Sequence, residues 1–158
     1  AAARASALVM VGTAYPMKVS EALLTTARDN PEAAMAMVNA FSHSVASAKP
    51  GYPGPGAWLR GGGLALMRRL QTRQTEVNLL ENDFQVCDRY ANGEAAAARV
   101  ACPVHFVLGA QDQMTLPKHN AVLGGLLKPR IHTVQAGHAL MAEAPDAVLA
   151  ALRSALGV

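Results

Sequence analysis

The apolar residues of the chain change period three times. Ala7-Leu8-Val9-Met10-Val11-Gly12 is a short unbroken apolar run closed by glycine, the pattern of a strand buried on both faces and so of a parallel sheet. Over residues 20–98 the pattern turns helical. Ser20 is placed to N-cap the first helix, and Asn30-Pro31-Glu32 joins a capping residue, a first-turn proline and a carboxylate near the positive helix end. Ala34, Val38, Phe41 and Val45 then recur at helical spacing and predict one apolar face. The stretch from Pro50 to Gly56 alternates proline and glycine and predicts a loop. Helices are expected again over 64–80 and 83–98.

The last third changes period once more. Val104-His105-Phe106-Val107-Leu108-Gly109 reads as a second buried strand, introduced by Pro103. Pro117 opens a helix with Val122, Leu123, Leu126 and Leu127 expected inward, and Arg130-Ile131-His132-Thr133-Val134 alternates as a third strand. A final helix starts at Pro145-Asp146, is expected to bury Val148, Leu149, Leu152 and Leu156, and stops at Gly157. No internal repeat is visible. Strand and helix therefore alternate at both ends of a helical insert, which predicts an α/β protein with about three parallel strands. The expected organisation is core at 1–19, helical insert at 20–99 and core at 100–158.

Composition narrows this picture. A chain of 158 residues is one ordinary domain at most. It is 51% hydrophobic with only seven aromatic residues, and much of the apolar share is Ala, so the core must rest on Leu, Val and Met. The net charge of +3 comes from scattered residues. Arg60, Arg68, Arg69 and Arg73 group loosely without interleaved aromatics, which predicts a solvated helix face and no nucleic-acid surface. Cys87 and Cys102 have neither a C-x-x-C nor a Cys/His ligand spacing, so buried, reduced thiols in a cytoplasmic protein are expected, with no metal. No run approaches the ~20 apolar residues of a membrane span. The start at Ala1 has no initiator Met and no signal-peptide layout, and the chain is expected to begin within a longer protein.

Chemistry in open α/β sheets collects beyond the carboxyl ends of the strands. Gly109-Ala110-Gln111-Asp112 places a carboxylate just past one strand, and Gln135-Ala136-Gly137-His138 places an imidazole just past the next. Adjacent strands lie ~4.8 Å apart, so these loops can join a carboxylate to a ring nitrogen, half of an acid–histidine relay. Alone, Asp112 fits an Asx-turn or a helix cap, and His138 fits a hydrogen-bonded loop histidine. Their placement at two successive strand ends favours chemistry. His43, His105, His119 and His132 share no ligand spacing and read as packing or solvent-exposed residues.

Several stretches belong together: Leu8-Val9-Met10-Val11-Gly12 with Pro16-Met17; Asn82-Asp83-Phe84 with Cys87-Asp88-Arg89-Tyr90; the run from Cys102 through Asp112 to Pro117; and Gly137-His138 with Glu143-Ala144-Pro145. With them the chain resembles, over nearly its whole length, the C-terminal half of an alpha/beta-hydrolase-fold protein of the kind with a helical cap inserted after the sixth strand. The order G-x-x-D, then about 25 residues later G-H-x-x-x-x-E-x-P, is fairly specific. The resemblance implies Asp112 as catalytic acid and His138 as catalytic base, with Glu143 setting the loop that carries His138. After the first strand no Asp is within reach and Glu21 lies beyond a helix start, so Asp112 is kept as the acid. Phe41, Trp58 and Met114 are candidate substrate-binding residues; Phe41 and Trp58 fit a cap core equally well.

The family's G-x-S-x-G nucleophile elbow is absent, since none of Ser6, Ser20, Ser42, Ser44, Ser47 and Ser154 has glycines at that spacing. Nucleophile, acid and histidine follow in that chain order, so the elbow is expected upstream of Ala1. Arg60-Gly61-Gly62-Gly63 follows no strand and reads as a flexible loop, not an oxyanion motif. The implied activity is serine-type hydrolysis of a small-molecule ester or related acyl or carbon–carbon bond, without cofactor. The chain alone is expected to be inactive and, with an apolar strand edge open, to self-associate. The rival reading is a non-enzymatic binding module on a hydrolase scaffold that has lost its elbow.

Overall fold

Along the chain the elements are β1 (Leu8–Val11), α1 (Glu21–Asp29), α2 (Pro31–Ser42), α3 (Leu59–Thr72), α4 (Leu79–Arg89), α5 (Gly93–Ala97), β2 (Val104–Gly109), a short 3-10 helix (Pro117–Asn120), α6 (Ala121–Leu127), β3 (Arg130–Val134), α7 (Leu140–Glu143) and α8 (Pro145–Leu156), in a computed structural model that describes residues 4–158. They divide into two units. One runs to Pro16 and resumes over Ala91–Val158, and the other is Met17–Tyr90.

The first unit is built on a parallel sheet ordered β1-β2-β3, with Leu8 beside Val104 and Gly109 beside Val134. All six residues of β2 are buried, His105 among them, as expected of a strand covered on both faces. Successive side chains point to opposite sides. Val107 joins Val9, Val11 and Val134 under α7 and α8, against Leu140, Val148, Ala151 and Leu152. Phe106 and Leu108 join Leu8 and Met10 under α5 and α6, against Ala97, Leu123 and Leu127. The result is a helix–sheet–helix sandwich, the α/β architecture expected from the alternation of elements.

The edges are less buried than their sequence suggests. β1 is half-buried at all four positions, because it pairs only with β2 among the described residues. Val122 and Leu126 of α6, and Leu149 and Leu156 of α8, are exposed, contrary to expectation. Each helix lays one stripe on a three-stranded sheet, and the stripes are Leu123 with Leu127 and Val148 with Ala151 and Leu152. Gly157 ends α8 in the left-handed conformation, φ +72°, where a glycine costs no side-chain strain.

The second unit is all helix. Ser20 and Asn30 cap α1 and α2 as their positions predict, accepting from the Leu23 and Ala33 amides. Only the first half of the expected apolar face forms: Ala34 is buried and Val38 half-buried, but α2 stops at Ser42, Phe41 and Val45 are exposed, and Met35 and Asn39 are buried as well. The helix expected over 64–80 begins earlier and breaks in two. Gln71 donates to the carbonyls of Gln74 and Val77 and accepts from the Leu79 amide, which holds a turn, and Asn78 then caps α4. Gly61, Gly62 and Gly63 are not a loop but the first turns of α3. Gly61 is required there, since a Cβ would lie 2.3 Å from Trp58 Cε3.

Candidate functional site

Beyond the carboxyl end of β2 the chain turns at once, with the Asp112 amide donating to Gly109 O at 3.2 Å. The loop after β3 is stitched to this turn by two backbone bonds, Ala110 N–H to Val134 O at 2.9 Å and Gln111 N–H to Ala136 O at 3.0 Å. Gly109 makes the approach possible, because a Cβ there would lie 2.4 Å from Gly137 O and 2.7 Å from Ala136 O. The two loops that carry the acid and the imidazole are therefore one packed structure.

Within it Asp112 and His138 meet. Asp112 Oδ2 lies 2.9 Å from His138 Nδ1, with the Asp112 side chain 1% and the His138 side chain 31% exposed. Asp112 Oδ1 accepts the amides of Met114 and Thr115 at 2.9 and 2.8 Å. Burial pushes the Asp112 carboxyl up, but the hydrogen bonds from His138 and from the Thr115 backbone and hydroxyl outweigh it and hold the group below the ordinary carboxylate range. An ionised carboxylate only accepts, so Nδ1 is assigned the proton and Nε2 is left as the basic nitrogen at the opposite ring edge.

The ring is held from other sides as well. Gly12, at φ +57°, follows β1 beside the ring; a Cβ there would lie at ordinary contact distance, 3.7 Å, from His138 Cε1 and Nδ1, and tightly, at 3.1 Å, against Leu140 Cδ1. Glu143, 7% exposed, accepts the Gly137 amide at 3.1 Å and so fixes the backbone just before His138. Thr115 Oγ1 touches Gly12 O, Asp112 Oδ2 and His138 Nδ1. Asn120 Nδ2 donates to Thr13 O at 2.8 Å and ties the loop after β1 to the 3-10 helix.

Of the residues singled out by sequence, Asp112, His138 and the Met114 backbone are brought together in the first unit. Phe41 and Trp58 lie in the second, each about half exposed, and Trp58 Nε1 donates to Ala48 O at 3.3 Å. Thr115 and the close approaches at Gly12 and Gly109 were not foreseen. The D-x-x-T spacing was the available signal, since Thr three residues past Asp suits an Asx-type turn. Cys87 and Cys102 are unbridged and half-buried, less enclosed than expected. Among the described residues no cluster of three or more His, Cys, Asp and Glu is placed to hold a metal, and no helix is long and apolar enough to cross a membrane.

No family model matches the chain, and no curated sequence matches it. Solved structures do. A thermophilic esterase is 21% identical with TM-score 0.71 over 96% of this chain. The enol-lactonase from Burkholderia xenovorans is 17% identical with TM-score 0.73 over 98%, and an esterase from Exiguobacterium antarcticum 12% identical with TM-score 0.72 over 97%. The chain spans only 56–57% of the lengths of these structures.

Proposed function

We propose that this chain, which has the fold of alpha/beta hydrolases and spans about half of their length, supplies the acid and the base of such an enzyme's catalytic relay, acting on an ester or a related acyl or carbon–carbon bond. The 2.9 Å contact between Asp112 Oδ2 and His138 Nδ1 carries the reading. His138 Nε2 takes the proton of an attacking hydroxyl, Asp112 stabilises the imidazolium, and the same proton then passes to the leaving group. The nucleophile is assigned to a segment outside these 158 residues, which hold no G-x-S-x-G. Esterases and an enol-lactonase among the similar structures support an ester-type substrate.

The helical unit is assigned as the cap that the resemblance implies. Phe41 and Trp58 there offer half-exposed apolar surface suited to an acyl chain, and Met114 is the corresponding candidate beside Asp112. With neither cysteine bridged, a reducing cytoplasm is the compartment assigned.

Extending the coding sequence upstream tests the proposal. An extended chain with an in-frame G-x-S-x-G should hydrolyse p-nitrophenyl acetate, and His138→Ala should lower turnover by about 10⁴-fold or more. The 158-residue chain should show no turnover above its own His138→Ala control. Turnover indifferent to His138 would overturn the assignment, and an upstream frame without a nucleophile would give the lead to a binding module.

A further inference from the structure

We propose that Thr115 is a positioning residue of the Asp112–His138 pair, its hydroxyl being the point at which the loops following all three strands are tied together. The inference rests on the reading of Asp112 and His138 as acid and base. Thr115 Oγ1 lies 2.9 Å from Gly12 O at the end of β1, 2.8 Å from Asp112 Oδ2 beyond β2, and 3.1 Å from His138 Nδ1 beyond β3. A hydroxyl has one proton to give and two lone pairs. Gly12 O and the carboxylate both only accept, so this proton is shared between them. The Nδ1 proton likewise has two acceptors within reach, Asp112 Oδ2 and Thr115 Oγ1. Neither proton leaves the cluster when Nε2 is protonated, so the hydroxyl aims the carboxylate without entering the reaction.

The Thr115 backbone keeps a tie to Asp112 without the hydroxyl, because its amide donates to Oδ1 at 2.8 Å. Removing the hydroxyl therefore ends the contacts of Oγ1 while leaving that tie in place. Valine keeps the β-branched shape and loses the donor; serine keeps the donor and loses the methyl group. A purely structural threonine would tolerate valine better than serine, whereas a positioning hydroxyl requires the reverse. The held-down Asp112 carboxyl supplies a direct readout, since the Thr115 hydroxyl is one of the groups that keep it ionised.

The test follows the Asp112 carboxyl carbon and the His138 ring nitrogens by NMR across pH in the 158-residue chain, unsubstituted and as Thr115→Val, Thr115→Ala and Thr115→Ser. Valine should move the Asp112 midpoint upward by about half to one pH unit, the equivalent of one hydrogen bond, and serine should restore it. Alanine should repeat the valine result and stands in for it if valine does not fold. An unmoved midpoint without the hydroxyl, or a serine variant that fails to restore it, overturns the role of Thr115 while Nδ1 stays protonated. An unprotonated Nδ1 in the unsubstituted chain overturns the acid–base reading, and this inference with it.

Discussion

Asp112 is ionised although it is almost wholly enclosed, and its partners explain why. Two amides on Oδ1 and the imidazole on Oδ2 replace the water it has lost, so the charge is held in place and aimed at one ring nitrogen. That arrangement depends on a residue with no side chain. At Gly109 a Cβ would meet two carbonyl oxygens of the backbone, which cannot swing aside as the tip of a long side chain can. Gly109→Ala should therefore destabilise the chain by about 1–3 kcal/mol and push the His138 loop from Asp112. Denaturant midpoints together with loss of the hydrogen-bonded Nδ1 proton signal check this. Gly124 is the matching control, since nothing lies within 4 Å of a Cβ there, inside α6. Gly124→Ala should be neutral or stabilise by about 0.5–1 kcal/mol. Sequence located Asp112 and His138 because their positions follow from strand ends. It did not locate the steric need at Gly109 or the contacts of Thr115 with Gly12 and His138, which depend on the approach of chain segments far apart in sequence.

Among the elements, β2 and β3 hold a contact that spacing alone could not disclose. His105 Nδ1 lies 3.0 Å from His132 Nε2, with ring centroids 5.3 Å apart and planes within 15° of parallel. Such a centroid separation across so short a contact means that the rings meet edge to edge along the nitrogen–nitrogen line. One nitrogen must donate and the other accept, so the bond needs at least one unprotonated nitrogen in that contact. Burial, the His105 charge and Arg130 lower the His132 pKa from its ordinary value. The unfolded chain then binds the proton first. Stability is complete above the unfolded histidine value near ~6.5 and falls as pH drops through it toward the lower folded value. Urea melts at pH 7.5 and pH 5.5 should show this loss, and His132→Gln should flatten the difference. An equal loss in both proteins would remove the contact as its source. The strands were legible because β2 is apolar on both sides of His105, and capping residues marked α1 and α2. The glycine-rich start of α3 was not legible, since glycine runs ordinarily read as loop and the fit of the Trp58 ring into the space of a Gly61 Cβ is visible only in three dimensions.

For the molecule as a whole, the open side of β1 links stability to function. Leu8 N–H and Gly12 N–H bond to Pro103 O and Val107 O of the β2 side, so the alternating groups of Val9 and Val11 face the other edge. No strand covers that edge among the described residues. A half-buried apolar strand with unpaired backbone groups is a template for pairing with another chain. The alternation of elements was enough to foresee the parallel sheet, but not that β1 would lie at its edge, because an apolar run does not tell an edge strand from a central one. The chain is therefore expected to self-associate, with its weight-average mass in sedimentation velocity rising with concentration. A longer chain that adds a parallel strand beside β1 should remain monomeric under the same conditions. That strand is also where the proposed nucleophile would be carried, so one extension should cure the association and confer His138-dependent turnover together. A 158-residue chain that stays monomeric across concentrations and melts in one cooperative step would show that β1 needs no further strand, and the case for a missing nucleophile-bearing segment would lose its structural support.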